Sequence, residues 1–127
     1  MELILAHLTG DYLLQGKHMA LTKAEKGFEG FKTCFRHCFR YTAAVCFFMW
    51  TLDPVIIWLV FMTHWIVDRH SLAWVWLKLI KGRTFEGAVA QEGVAREFDV
   101  GFTCLVYAVV DNTFHLISLW LIFEVFG

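Results

Sequence analysis

Histidine and aspartate stand four residues apart at three places in this chain: His7 with Asp11, His64 with Asp68, and Asp111 with His115. On a helix that spacing puts both side chains on one face, one turn apart. A further histidine, His37, lies in an apolar stretch of its own. Imidazole and carboxylate are donors suited to zinc, manganese or iron. In apolar surroundings a cation among them offsets both the repulsion between carboxylates and their desolvation. The pattern reads as a divalent metal site, with zinc the first expectation and manganese or iron the alternatives. His7, Asp11, His64, Asp68, Asp111 and His115 are the expected ligands, enough for two ions. His37 and Asp68 are the expected catalytic groups, His37 as a ligand or as a general base.

A bland reading competes for each residue taken singly. A histidine or aspartate near a helix end commonly caps or snorkels, and polar groups often join membrane helices by hydrogen bonds. Three equally spaced pairs in three separate stretches favour a shared site. The Glu-x-x-His spacing of di-metal carboxylate bundles is absent, so the pairs are not that signature.

The elements that must position these groups are apolar. Hydrophobic residues make up 58% of the 127, with six Trp and thirteen Phe, more than a soluble chain this short readily buries. Apolar stretches run from Met1 to Gln15, Phe35 to Leu52, Val55 to Ile80 and Val100 to Phe126. The last two exceed the roughly 20 residues that cross a bilayer core, and the first is short, as for a tilted helix or one starting within the membrane. The expected fold is all-α: a polytopic four-helix transmembrane bundle forming a single domain over 1–127. Its helices are expected at about 1–16, 33–52, 55–80 and 100–126, with cytoplasmic loops at 17–32 and 81–99. The stretch from Gly16 to Lys32 reads as an amphipathic interfacial segment or a solvated loop. Thr51-Leu52-Asp53-Pro54 predicts a tight hairpin, because the proline stops one helix and starts the next. A short surface helix is expected around Ala88 to Phe98. Met1 to Gly16 lacks a basic start and a small-residue cleavage site, so it is not expected to be a signal peptide.

Charge orients the bundle. Lys17, Lys23, Lys26 and Lys32 lie in the first loop with Arg36 and Arg40 at its border, and Arg69, Lys78, Lys81, Arg83 and Arg96 flank or occupy the third. The positive-inside rule makes both loops cytoplasmic and puts both termini and the Asp53-Pro54 hairpin outside. The expected location is a bacterial inner membrane, crossed several times. Asp11, His37 and Asp68 then fall toward the cytoplasmic ends of their helices, so the site opens to that side. An ionisable residue at mid-membrane costs roughly 2.5 to 3.5 kcal/mol on insertion scales, so such a set needs a reason.

Neighbouring residues fill supporting roles. Gln15 and Asn112 are expected to orient ligands, while Arg36, Arg40 and Tyr41 are the expected substrate-binding groups, with Lys23 a further cation near the mouth. His18 and His70 are read as surface residues outside the site. Cys34, Cys38, Cys46 and Cys104 show no disulfide framework and read as free thiols in apolar surroundings; Cys34 and Cys38 flanking His37 are the lesser candidates for soft metal ligands.

The run His7-Leu8-Thr9-Gly10-Asp11-Tyr12-Leu13-Leu14-Gln15, followed by Met19-Ala20 and Lys23, resembles the opening of a family of small bacterial and phage membrane proteins catalogued as domain of unknown function 3307. That family continues with a histidine on the second helix, matched by His37, and a His-x-x-x-Asp pair on the third, matched by His64 and Asp68. Its last helix carries Asp-Gln-x-x-His, matched here by Asp111 and His115 with Asn112 in place of the glutamine. The resemblance extends over nearly the whole chain and implies this architecture and site rather than a reaction. More remotely, the arrangement is similar to small membrane proteins described as metal-dependent hydrolases, by analogy alone.

Three functions are expected from these residues. The first is a metal-dependent hydrolase at the cytoplasmic face, acting on a phosphate ester or lipid-like substrate. The second is an oligomeric ion or proton channel or transporter, against which the apolar outer half from Ala43 to Trp58 weighs. The third is a non-catalytic partner of another membrane protein. The lipid bilayer is the expected partner in each, with a homo-oligomer or a membrane protein partner as further expectations. A net charge of -1 gives no basis for nucleic-acid binding.

Overall fold

A computed structural model describes all residues from Met1 to Gly127. The chain is all-helical. In order come α1 (Glu2–Leu8), a π-helical turn (Thr9–Leu13), α2 (Lys17–Thr22), α3 (Phe28–Met49), α4 (Pro54–Arg69), α5 (Leu72–Ile80), α6 (Phe85–Val89) and α7 (Gly93–Phe126). They form two compact units, one of Met1–His70 with His115–Gly127 and one of Ser71–Phe114.

In the first unit α3 is the central element, packed against α1, the π turn, α2 and α4. Its far end carries the apolar core: Ala6, Tyr41, Val45, Ile56, Val60, Leu119 and Ile122 are buried together. The hairpin from α3 to α4 forms as the sequence predicts. Trp50 ends α3 in the left-handed region at φ 49°, and the Asp53 carboxylate caps α4 by accepting from Val55 N at 2.7 Å and Ile56 N at 3.3 Å. Pro54 occupies the first turn, where no amide hydrogen is needed. Phe35 packs edge-on against Phe61 and Trp65, with ring centroids 5.3 and 6.3 Å away, and so ties α3 to α4.

Gly10 sets how closely the first segment approaches α3. A Cβ there would lie 2.5 Å from Tyr41 Cδ2 and 3.2 Å from Tyr41 Cα, so any larger residue pushes the π turn away. The expected helix over 1–16 is thus a short α-helix leading into a π turn, closed by Leu14 N donating to Thr9 O at 3.0 Å. The i to i+5 pattern inserts an extra residue per turn and rotates the residues beyond it about the helix axis.

Helix boundaries differ elsewhere for local reasons. Residues 17–32 hold α2 and the start of α3, five residues earlier than expected from the apolar run. The stretch 55–80 is two helices, because Ser71 adopts φ 48° and breaks the hydrogen-bond ladder between α4 and α5. α7 starts at Gly93, so the expected surface helix is partly α6 and partly the first turns of α7. α7 is the one helix long and apolar enough to cross a membrane by itself. α3 has the length but carries Glu29, Lys32, Arg36 and Arg40 between its start and its middle turns, and α4 stops after 16 residues.

The second unit has its own contacts. Arg83 pairs with the Asp99 carboxylate, donates to Thr103 Oγ1 at 3.0 Å and lies 4.9 Å over the Phe102 ring. Thr84 caps α6 by accepting from Gly87 N at 3.0 Å, and Trp76 meets Phe114 edge-on at 5.6 Å.

Candidate metal centre

Five segments of the first unit each contribute to one buried cluster. α1 supplies His7, the π turn Asp11, α3 His37, α4 both His64 and Asp68, and α7 His115. All six are buried. The i, i+4 pairing works as expected on α4, where His64 and Asp68 share the face turned to α3. At the first pair the spacing spans the change from α to π geometry, which carries Asp11 toward His37.

Two carboxylate oxygens flank a pair of imidazole nitrogens. His37 Nε2 and His64 Nε2 are 2.9 Å apart. Asp11 Oδ1 lies 3.1 Å from the first and 3.4 Å from the second. Asp68 Oδ2 lies 3.0 and 3.2 Å from the same two atoms. A tetrahedral ion with ligands about 2.0 to 2.1 Å away holds its donors about 3.3 Å apart, and an octahedral one slightly closer, so His37, His64 and Asp68 are spaced as three ligands of either. The remaining carboxylate oxygens face other histidines. Asp11 Oδ2 is 3.4 Å from His7 Nδ1 and 3.9 Å from His115 Nε2, while Asp68 Oδ1 is 3.4 Å from His115 Nε2. Each carboxylate therefore links the His37 and His64 side of the cluster to the His115 side.

Hydrogen bonding alone does not satisfy this arrangement. Asp11 Oδ1 is buried near imidazole nitrogens yet has no hydrogen-bond partner, His64 Nδ1 has none either, and Asp68 Oδ2 is paired with the Lys23 ammonium at 2.8 Å. Two imidazoles whose Nε2 atoms face each other can place only one proton between them, leaving the carboxylates short of donors. Buried oxygens in that condition cost about 1 to 3 kcal/mol each, more when charged. Donors aimed at a common point rather than at one another are what a cation requires.

Tyr41 belongs to the cluster's support. Its ring stacks on His64 with centroids 3.6 Å apart, and its hydroxyl is 3.1 Å from His7 Nδ1. Expected at sequence level to meet a substrate, it instead fixes two histidine rings. Gln15 is satisfied with its amide oxygen toward Lys23 Nζ at 3.1 Å and its amide nitrogen donating to Asp11 O at 3.0 Å. Lys23 Nζ, 13% exposed, is 2.8 Å from Asp68 Oδ2. Composition marked this lysine as one basic loop residue among four; its contact with a ligand carboxylate is not legible without the fold.

Of the other residues named from sequence, Asp111 stands one turn before His115 on α7, as the spacing predicts, and belongs to a further group able to hold a metal, whereas Asn112, Arg36, Arg40 and the cysteines belong to none. Asp111 and Asn112 fall in the second unit, half-buried on the stretch of α7 before His115, and the Asn112 amide donates to Ala108 O of its own helix. Arg36 and Arg40 are exposed on α3 and line a surface pocket of about 300 Å³ with His18, Glu29 and Lys32. Arg40 reaches Leu14 O at 3.5 Å and neither arginine pairs with the cluster carboxylates. All four cysteines are free; Cys34 and Cys38 are buried with sulfurs 3.9 Å apart. His18 and His70 are exposed.

Fold and site together define an all-α protein organised around a buried cluster of histidines and aspartates. The model of the family described as protein of unknown function (DUF3307) matches residues 1–127, and the chain belongs to that family. No curated protein and no solved structure matches it.

Proposed function

We propose that this chain is a membrane-embedded, metal-dependent hydrolase acting on a phosphate ester or lipid-like substrate. The observation that carries the proposal is that Asp11 and Asp68 lie 3.0 to 3.4 Å from the facing imidazoles of His37 and His64, all buried, with Asp11 Oδ1 left without a hydrogen-bond partner. Zinc is the ion we favour, and manganese or iron fit the same donors. A divalent ion here supplies Lewis acidity, which acidifies water and polarises a phosphoryl oxygen. Asp11 and Asp68 hold the imidazoles in line and carry the compensating negative charge. His7, steadied by Tyr41, orients Asp11 from behind, and His115, stacked 4.1 Å from His64, stands on the far side of both carboxylates, where it can take or return a proton.

We place the chain in a bacterial cytoplasmic membrane as a four-span bundle with both termini outside. α3 begins with Lys32, Arg36 and Arg40, and antiparallel α4 ends in Arg69, so basic residues gather at one end of the pair. The other end is the hairpin, with Trp50 89% and Leu52 87% exposed. Phe39, Phe47 and Trp58 are exposed on the flanks, and an apolar groove of about 520 Å³ runs between α3 and α4. Water does not tolerate that much contiguous apolar surface, whereas lipid does. The groove shares Phe35 and Phe39 with a pocket that includes Arg36 and Arg40, an apolar channel ending in cations that suits an anionic amphiphile. Ion conduction is the weaker reading, because the buried core of Val45, Ile56, Val60, Leu119 and Ile122 offers no polar path.

The test is turnover of chromogenic phosphate mono- and diesters by detergent-solubilised protein reloaded with zinc, manganese or ferrous iron. Hydrolysis that needs the ion and disappears in His64→Ala is the expected result. Metal binding without hydrolysis of any phosphate ester or phospholipid contradicts the hydrolase and retains only the metal centre.

A further inference from the structure

We infer that Lys23 is the anion-recognition residue of this centre, its ammonium holding Asp68 while no ion is bound and turning to a phosphoryl oxyanion once a divalent ion takes that carboxylate. The inference rests on the metal reading above and names what the loaded site would bind next.

The ion pair of Lys23 with Asp68 leads there. Asp68 is a carboxylate flanked by the His37 and His64 imidazoles, and the Lys23 ammonium is its ion-pair partner. A divalent ion that takes the Asp68 carboxylate leaves this ammonium, on a side chain only 13% exposed, without that partner. A largely buried cation in that position needs an anion. The oxygen it touches, Asp68 Oδ2, is the same atom that lies 3.0 Å from His37 Nε2 and 3.2 Å from His64 Nε2, so lysine and metal compete for one carboxylate oxygen.

The backbone around Lys23 is anchored, which leaves the side chain as the part able to turn. Arg69, the residue after Asp68, donates to Lys23 O at 3.4 Å and also to Glu25 O. Glu25 O fills the space a Cβ on Gly30 would take, which presses the loop against the start of α3. Gln15 Oε1, 3.1 Å from Nζ, gives the ammonium a second fixed acceptor at the mouth. Phosphoryl oxygens suit such a site, because an ammonium and a metal ion can share one tetrahedral anion.

The experiment is zinc titration of the full chain in detergent, with and without methylphosphonate as a soluble phosphoryl probe, for the wild type, Lys23→Met and Lys26→Met. Lys26 is an exposed residue of the same loop and controls for charge at a distance. In the wild type the phosphonate should tighten zinc binding about tenfold, within the usual range of coupling between sites. Lys23→Met should bind zinc several-fold more tightly alone and lose the phosphonate effect, while Lys26→Met should behave as the wild type. Lys23→Gln is carried in parallel, so that misfolding of one variant leaves the test standing. Retention of the phosphonate effect in the Lys23 variants, or equal loss in Lys26→Met, overturns the role of Lys23. If the wild type binds zinc through Asp68 but ignores the phosphonate, this inference alone fails. If it binds no divalent ion, the metal reading fails with it.

Discussion

Two neighbouring regions of the first unit use buried space in opposite ways. In the core, Ala6, Val45, Ile56, Val60, Leu119 and Ile122 fill the volume with apolar groups that need no partner. Next to it, His7, Asp11, His37, His64, Asp68 and His115 are buried just as fully but leave Asp11 Oδ1 and His64 Nδ1 without hydrogen-bond partners. Tyr41 belongs to both, its ring in the apolar cluster and its hydroxyl toward His7. The difference teaches that the core holds the helices together while the polar cluster draws on that stability. Such clusters are a net cost unless a ligand satisfies them.

If that division is right, substitutions in the two regions should separate stability from metal binding. The largest effect is expected from the ligands. His64→Ala should lower zinc affinity by at least about 100-fold, since it removes a direct donor where even supporting partners are worth 10- to 100-fold. Calorimetric titration checks the affinity, and the melting temperature without metal should change little or rise. Leu119→Ala should do the reverse, lowering stability by about 2 to 3 kcal/mol through a core cavity while zinc affinity in the folded protein stays within a few-fold. Denaturant unfolding in detergent measures it; a Leu119 variant that loses metal as His64→Ala does would break the comparison.

Gly10→Ala tests the join between the regions. Its methyl group must displace the Tyr41 ring or the π turn, an overpacking of about 1 to 3 kcal/mol, and a moved π turn carries Asp11 out of line. Lost stability together with weaker zinc binding is the expected outcome. Tyr41→Phe should give the smallest change, removing only the hydroxyl from His7 and weakening zinc by about tenfold, as expected for a group that orients a ligand's neighbour. Unchanged affinity there would make His7 and Tyr41 purely structural.

Much of this was legible in the residues. The pairs His7 with Asp11 and His64 with Asp68, and the single His37, stood out because ionisable groups in apolar stretches are costly, and the i, i+4 rule puts each pair on one face. Asp53-Pro54 announced its hairpin because a proline and a capping carboxylate act locally. The π turn was not legible, since nothing in Thr9 to Leu13 separates π from α hydrogen bonding until Tyr41 packs against Gly10. The break at Ser71 was hidden in a continuous apolar run, because a left-handed residue has no pattern in hydropathy. Lys23 was one of several lysines until the loop folded back and brought it to Asp68. Arg36 and Arg40, judged by nearness in sequence to His37, are exposed while His37 is buried, because long cationic side chains at the edge of the buried face turn outward.

The most direct test of the central claim is metal content by elemental mass spectrometry on detergent-purified protein, comparing the wild type with an Asp11→Ala, Asp68→Ala double variant of equal foldedness. The account predicts close to stoichiometric zinc, manganese or iron in the wild type and its loss in the variant. No bound metal in either, after purification without chelators and reloading with each ion, would contradict it.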